Sequence, residues 1–82
     1  MKDMTKDEIR ENIRKNLIDL RKKKGMTQAQ LASIFEKTDN AVASWEQGLS
    51  LPDIPTLYKL SLVYEVPMEY FVVEHSRKDD EQ

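Results

Sequence analysis

Residues 27–48 read TQAQLASIFEKTDNAVASWEQG, and this segment contains the starts of two short helices. Thr27, followed three residues later by Gln30, forms a capping box, in which each side chain satisfies a backbone N–H at the helix start. Thr38 can cap a second helix, with Asp39 in its first turn, where negative charge suits the helix dipole. The segment therefore predicts two short helices joined by a tight turn.

The second of these helices, expected over about residues 39–47, has two unlike faces. Val42 and Trp45 lie on one side at helical spacing, as residues that pack into a core do. Gly48 can take the left-handed conformation that ends the helix. The other side is polar and has no bulky apolar group; it consists of Asp39, Asn40, Ala43, Ser44 and Gln47. This face is free to contact a partner.

The flanking sequence predicts three further helices. Thr5 and Glu8 form another capping box before an apolar stripe of Ile9, Ile13, Leu17 and Leu20. Asp53 can cap a fourth helix whose apolar residues are Ile54, Leu57, Leu60 and Tyr64. Val66-Pro67 begins a last short helix that ends near Val72. In the short helix after Thr27, we expect Leu31, Ile34 and Phe35 to face inward.

No segment shows the alternation that is typical of strands, so the fold class is all-α. The pattern predicts one domain of five helices over residues 1–74, followed by a flexible polar tail over residues 75–82. The 82 residues include no cysteine, which excludes disulfides and cysteine-based zinc sites. The residues at the N-terminus do not have the pattern of a signal peptide and no apolar run approaches the length of a membrane span, so we expect a cytoplasmic protein without a membrane partner.

Enzymatic function is the weakest of the classes considered. The sequence has no nucleophile–base pair, no metal-ligand spacing and no phosphate-binding glycine loop. Its one histidine, His75, has no candidate ligand nearby. We therefore expect no catalytic residue, no metal site, no cofactor and no small-molecule ligand.

Charge is unevenly distributed along the chain, whose formal net charge is −2. Residues 1–24 contain nine of the thirteen Lys and Arg residues against five acids, whereas residues 25–50 contain one basic residue against three acids. A local basic face is compatible with this pattern, but strong non-specific affinity for DNA does not follow from it.

The segment 27–48 and its flanks resemble the lambda/434 repressor and Cro-like helix-turn-helix family, also called XRE. Within the motif the resemblance rests on Thr27-Gln28, Leu31-Ala32, Thr38, Val42, Trp45, Glu46 and Gly48. Outside it, the similar parts are Leu20-Arg21, Gly25-Met26, the spacing from Gly48 to Pro52, and residues 66–71. The resemblance implies a lambda-repressor-like domain that binds double-stranded DNA as a transcriptional regulator, most simply a repressor.

The resemblance also implies roles for the polar face. Asp39, Asn40 and Ser44 correspond to family positions that contact base edges, with Ala43 as an apolar neighbour. The chemistry of two residues agrees, because asparagine can bind adenine bidentately and aspartate can accept a hydrogen bond from cytosine N4. Considered alone, Asn40 and Ser44 are equally well explained as polar surface residues.

Further positions correspond to contacts outside the base edges. Gln28, at a helix start that favours anions, corresponds to a phosphate contact, and Lys37 and Gln47 are placed to flank the groove as further phosphate contacts. Arg21 and Glu46 correspond to a partly buried ion pair that joins the first helix to the recognition helix. We interpret that pair as structural.

Several departures from the family pattern reduce the expected affinity for DNA phosphates. Glu36 replaces the usual glycine of the turn, and Ser44 stands where a basic residue is frequent. Few phosphate contacts per chain are expected, so useful affinity would need a homodimer. Leu62 and Val73 are candidates for its interface, although scattered surface apolar residues explain them almost as well.

The rival hypothesis is a protein-interaction module on the same fold, such as an antitoxin or an anti-repressor partner.

Overall fold

The computed structural model of the protein describes residues 4–35 and 39–75. Four α-helices follow one another, namely α1 (Lys6–Lys23), α2 (Gln28–Ile34), α3 (Asp39–Gln47) and α4 (Ile54–Tyr64), and a 3-10 helix spans Met68–Val72. The described residues form no strand, which confirms the all-α class. The fifth element is a 3-10 helix rather than an α-helix. Its start at Pro67 has no side-chain cap, and Tyr70 N donates to Pro67 O three residues back.

The helix starts follow the predicted capping. Glu8 N donates to Thr5 Oγ1 at 3.1 Å and Thr5 N to Glu8 Oε1 at 2.9 Å, which is a complete capping box. Thr27 and Gln30 form the second box in the same way, with distances of 3.0 and 2.8 Å. Thr56 N donates to Asp53 Oδ1 at the start of α4. Thr38 and Glu36, which the sequence placed in the turn, lie outside the described residues.

A left-handed backbone occurs at a residue that the sequence analysis did not single out. Glu65 ends α4 with φ 59° and ψ 45°, and its N–H donates to carbonyl oxygens of the last turn. A side chain in this conformation costs on the order of 1 kcal/mol relative to glycine. The left-handed conformation of Glu65 ends α4 and directs the chain towards the 3-10 helix.

The core lies between α1, the α2–α3 pair and the inner face of α4. Its buried apolar residues are Ile13, Leu17, Leu20, Leu31, Ala32, Val42, Trp45, Leu57, Leu60, Tyr64 and Phe71. The expected inward position of Ile34 is wrong, because half of that residue is exposed. Leu31 and Ala32 are both buried, so the direction midway between these two side chains faces the core. Ile34 lies about 110° from that direction around the helix axis. Ile54 is exposed as well, since it belongs to the first turn of α4 and lies towards Tyr58.

Two asparagines of α1 hold the 3-10 helix in place. The Asn16 amide nitrogen lies 2.9–3.1 Å from the carbonyl oxygens of Tyr70, Phe71 and Val73, and the Asn12 amide donates to Val72 O at 2.9 Å. A helix this short leaves most of its carbonyl groups without a partner inside the helix. The asparagine side chains supply those partners, so the last element is attached to the first by hydrogen bonds as well as by packing of Phe71.

His75, which the sequence assigned to the tail, is also in contact with the 3-10 helix. Its ring stacks on Tyr70 with centroids 3.7 Å apart, and Nε2 lies 2.8 Å from Tyr70 O. The ordered packing therefore extends to this residue.

We expect Asn16→Ala to lower the free energy of unfolding by about 2–3 kcal/mol, because it leaves buried carbonyl groups unpaired. Asn12→Ala is the matched control, since Asn12 is only partly buried and has one such bond. It should cost about 1 kcal/mol. Urea denaturation followed by circular dichroism measures both, and equal losses in the two variants would contradict the assigned role.

Candidate nucleic-acid interface

The helix α3 is held by one face and leaves the other accessible. Val42 and Trp45 are buried in the core, while Asn40 and Gln47 are exposed and Ala43 and Ser44 are half-buried on the outer side. Hydrogen-bonding groups on this outer side are therefore available to a partner. Asp39 begins the helix, and Lys37 lies outside the described residues.

Ser44 has a neighbour that the sequence analysis missed. Its Oγ lies 2.7 Å from Ser50 Oγ, because the chain turns back after Gly48 and Leu49 N donates to Ser44 O at 2.9 Å. When one hydroxyl of such a pair donates to the other, the second O–H remains free to donate outward. No sequence pattern predicts this hydrogen bond, because it depends on the conformation of the loop between α3 and α4.

An ion pair in the interior fixes the C-terminal end of α3. Arg21 Nε lies 2.6 Å from Glu46 Oε2, and Nη2 lies 2.9 Å from Oε1, so the guanidinium and carboxylate bind each other through two parallel bonds. The side chains are only 13% and 6% exposed. The hydrogen bonds to Glu46 raise the pKa of Arg21, and burial opposes that shift. The pair connects α1 to α3.

Two further groups form hydrogen bonds with this ion pair. Arg21 Nη1 donates to Met26 O at 2.8 Å, in the loop before α2. Gln28 Nε2 donates to Glu46 Oε1 at 2.9 Å. The predicted phosphate contact Gln28 thus uses one amide N–H on Glu46, so a phosphate could bind only its second amide N–H or the backbone N–H groups of this helix start.

Arg14 is a second basic residue of α1 near the end of α3. Its Nη1 lies 3.5 Å from Glu46 O, and its Cδ would be 3.3 Å from a Cβ added at Gly48. Its guanidinium also pairs with Glu11 one turn earlier. Arg14 therefore covers the last turn of α3 where its carbonyl oxygens lack helical partners. The sequence analysis did not identify this role.

Few basic residues belong to the helix-turn-helix segment itself. Lys22, Lys23 and Lys24 are exposed at the end of α1, close in sequence to the start of α2. In residues 25–50 the chain has a single basic residue, Lys37. Phosphates near α3 would therefore meet helix-start N–H groups, hydroxyls and amides more often than cations.

Metal binding and membrane insertion have no basis in the described part of the chain. Among residues 4–35 and 39–75, no group of three His, Asp or Glu side chains is placed to hold a metal ion. In the same part of the chain, none of the helices has the length and apolar character that crossing a bilayer requires.

Comparison with known proteins identifies relatives of this arrangement. A family model described as helix-turn-helix matches residues 17–71, which include α2, α3 and the ion pair. The HTH-type transcriptional regulator PuuR of Escherichia coli (strain K12) is 32% identical over 68 residues, and so is the protein of the same name from Shigella flexneri. The aligned part is 83% of this chain but 37% of each relative, so the chain spans well under half of their length.

We expect Glu46→Ala to lower the free energy of unfolding by about 3 kcal/mol, because it leaves the Arg21 guanidinium buried without its counter-charge. Glu11→Ala is the control, since Glu11 belongs to an ion pair with Arg14 that is open to solvent. Its loss should be much smaller. Thermal and urea unfolding of both variants measure the difference, and comparable losses would show that the buried pair does not stabilise the α1–α3 contact.

Tyr64 gives a prediction about alkaline pH. Its hydroxyl is the buried side-chain oxygen without a hydrogen-bond partner among the described residues. Burial, followed by the charge of Glu46, raises the pKa of Tyr64 to about 12, and Arg21 opposes the shift. In the unfolded chain a tyrosine ionises near pH ~10. Between these values the unfolded state has lost a proton that the folded state retains, so the stability contributed by Tyr64 falls as pH rises.

Tyr64→Phe should therefore make stability less dependent on pH between about 10 and 12. At neutral pH it should leave stability unchanged or higher, because an unpaired polar group is removed. Tyr58→Phe, at a position that is exposed in the single chain, should retain the slope of the wild type when both are measured as monomers at low concentration. Urea midpoints measured from pH 9 to 12 test this, and an unchanged slope in Tyr64→Phe would refute it.

Proposed function

The chain has a DNA-binding domain of the Cro/C1-type (XRE) helix-turn-helix family, related to a transcriptional regulator, and from this premise we propose sequence-specific binding to double-stranded DNA. In this proposal α3 enters the major groove of an operator and its outer face contacts base edges. The observation that supports it is the exposed face of α3 on a helix whose other side and C-terminal end are fixed by the core and by the Arg21–Glu46 pair.

Asn40 is the strongest candidate for a base contact. It is the second residue of α3 and is exposed to solvent. Its amide N–H can donate to adenine N7 while its amide oxygen accepts from the adenine N6 amino group, in one plane. Asp39 at the helix start would accept from cytosine N4. Ala43, one turn further, offers a small apolar surface to a thymine methyl group, and Ser44 offers a hydroxyl.

Phosphate contacts are proposed for Gln28, Lys37 and Gln47. Gln28 begins α2, where free N–H groups favour an anion, and the exposed Gln47 ends α3. Amides contribute little electrostatic attraction, so we expect a shallow dependence of affinity on salt.

We further infer that two copies bind a two-fold symmetric operator, with half-sites about one helical turn (~34 Å) apart. Two linked copies double the number of contacts, which offsets the small number per chain. The simplest regulatory outcome is repression, in which the bound domain occupies DNA that the transcription machinery needs.

The proposal is tested by selecting bound sequences from a random duplex pool and then measuring affinity for the enriched site. Asn40→Ala should weaken that site by about 1–3 kcal/mol and relax the preference at one base pair. Glu69→Gln, an exposed change on the 3-10 helix, is the control and should leave the site preference unchanged. An equal loss of Asn40→Ala on every sequence would show that Asn40 contacts no base.

Salt dependence separates this function from its rival. Fluorescence anisotropy with a labelled duplex should give an affinity that falls with salt concentration, with a slope of about −0.9 on logarithmic axes for each phosphate that a Lys or Arg neutralises. Absence of binding to any duplex at low salt would overturn the proposal and favour a protein-interaction module.

A further inference from the structure

Helix α4 is apolar on two sides. Leu57, Leu60 and Tyr64 are buried in the core, yet Ile54, Tyr58 and Leu62 are each more than half exposed. The exposed three are four residues apart, so they form one row along the helix, which we call the α4 row. A helix with apolar residues on both sides is typical of a helix that is covered on both sides. The core covers one of them, and among residues 4–35 and 39–75 the α4 row remains exposed.

The α4 row is uncharged along its length. Between Ile54 and Leu62, the charged residue of α4 is Lys59, about a quarter turn away from Tyr58. Leu51, three residues before the first residue of α4, is a further exposed apolar residue. Scattered surface leucines need no explanation, but a continuous row of this kind marks a contact surface.

We propose that the α4 row is the contact between two copies of this chain, with the two α4 helices antiparallel. A two-fold axis opposite Tyr58 would place Tyr58 against Tyr58 of the second copy and Ile54 against Leu62 of the second copy. The row is therefore complementary to itself, as an isologous interface requires.

The exposed area is compatible with a weak, reversible dimer. The four apolar side chains expose on the order of 500 Å² per copy, so pairing would bury about 1,000 Å² in total, at the lower limit of specific interfaces. Two aromatic rings meeting at the axis add a specific contact. We therefore expect association in the micromolar range rather than a permanent dimer.

The choice of a second copy as the occupant rests on the proposed function. A symmetric operator requires two copies whose recognition helices keep a fixed spacing. The α4 row meets that need because α4 follows α3 after a loop of only six residues, 48–53, and Ser44 binds Ser50 within that loop. Pairing of two α4 helices would therefore also fix the spacing of the two α3 helices, because the loop that joins α3 to α4 is short and hydrogen-bonded to α3.

Sedimentation velocity of the 82-residue chain from about 1 to about 300 µM tests the proposal. The wild type should pass from monomer to dimer, and Tyr58→Glu should weaken association at least tenfold. Val73→Glu is the control, because it places the same charge on another exposed apolar residue, outside the α4 row. Circular dichroism verifies that each variant is folded.

Charge pairing at the axis provides a second measurement. Tyr58→Glu and Tyr58→Lys should each be monomeric alone, whereas their equimolar mixture should associate, because residue 58 meets its own counterpart only in this arrangement. A monomeric wild type at all concentrations, an unaffected Tyr58→Glu variant, or a mixture that fails to associate would overturn the interface. Dissociation by Val73→Glu instead would assign the contact to another surface.

DNA binding distinguishes this outcome from a failure of the proposed function. With a duplex selected as above, Tyr58→Glu should retain the wild-type affinity for a half-site and lose the cooperative gain on the full site. A chain that forms the dimer but binds no duplex would refute the proposed function and leave the interface standing. Equal cooperativity in wild type and Tyr58→Glu would overturn the interface alone.

Discussion

The buried ion pair between Arg21 and Glu46 is the interaction on which the arrangement of the domain depends. Two charges leave most of their water here, and the cost is offset because each charge has several hydrogen-bond partners besides the opposite charge. Those partners come from four parts of the chain: α1, the loop at Met26, the start of α2 at Gln28, and the end of α3. A shift of any one part would leave a charge unsatisfied, so the pair fixes their relative orientation.

This constraint separates the stability of α3 from its capacity to bind. The groups that hold the helix, Val42, Trp45 and Glu46, lie on its inner side and at its end, and the outer side is left with small polar residues. Substitutions at Asn40 or Gln47 can therefore change what is bound without altering the fold. The second face of α4 follows the same division, with the core on one side and the α4 row on the other.

The sequence predicted most of the fold because its signals were local. Thr5, Thr27 and Asp53 act through residues three positions away, and the stripes of α1 and α3 follow from helical spacing. What it did not predict depends on distant contacts. Ile34 is exposed because α2 turns its Leu31–Ala32 side inward, Ser44 meets Ser50 through a loop conformation, and Asn16 binds carbonyls over fifty residues away. A polar residue within the apolar stripe of α1 was the available hint of that last contact.

The asparagine bonds from α1 to the 3-10 helix also determine when the domain can be completed during synthesis. Asn12 and Asn16 are made early, but their acceptors at residues 70–73 are among the last of the folded part to leave the ribosome. Until then α1 lacks Phe71 beside it and its amides have only water as a partner. We therefore expect the core to be complete, and α3 to be fixed in place, only after residues 70–73 have left the ribosome.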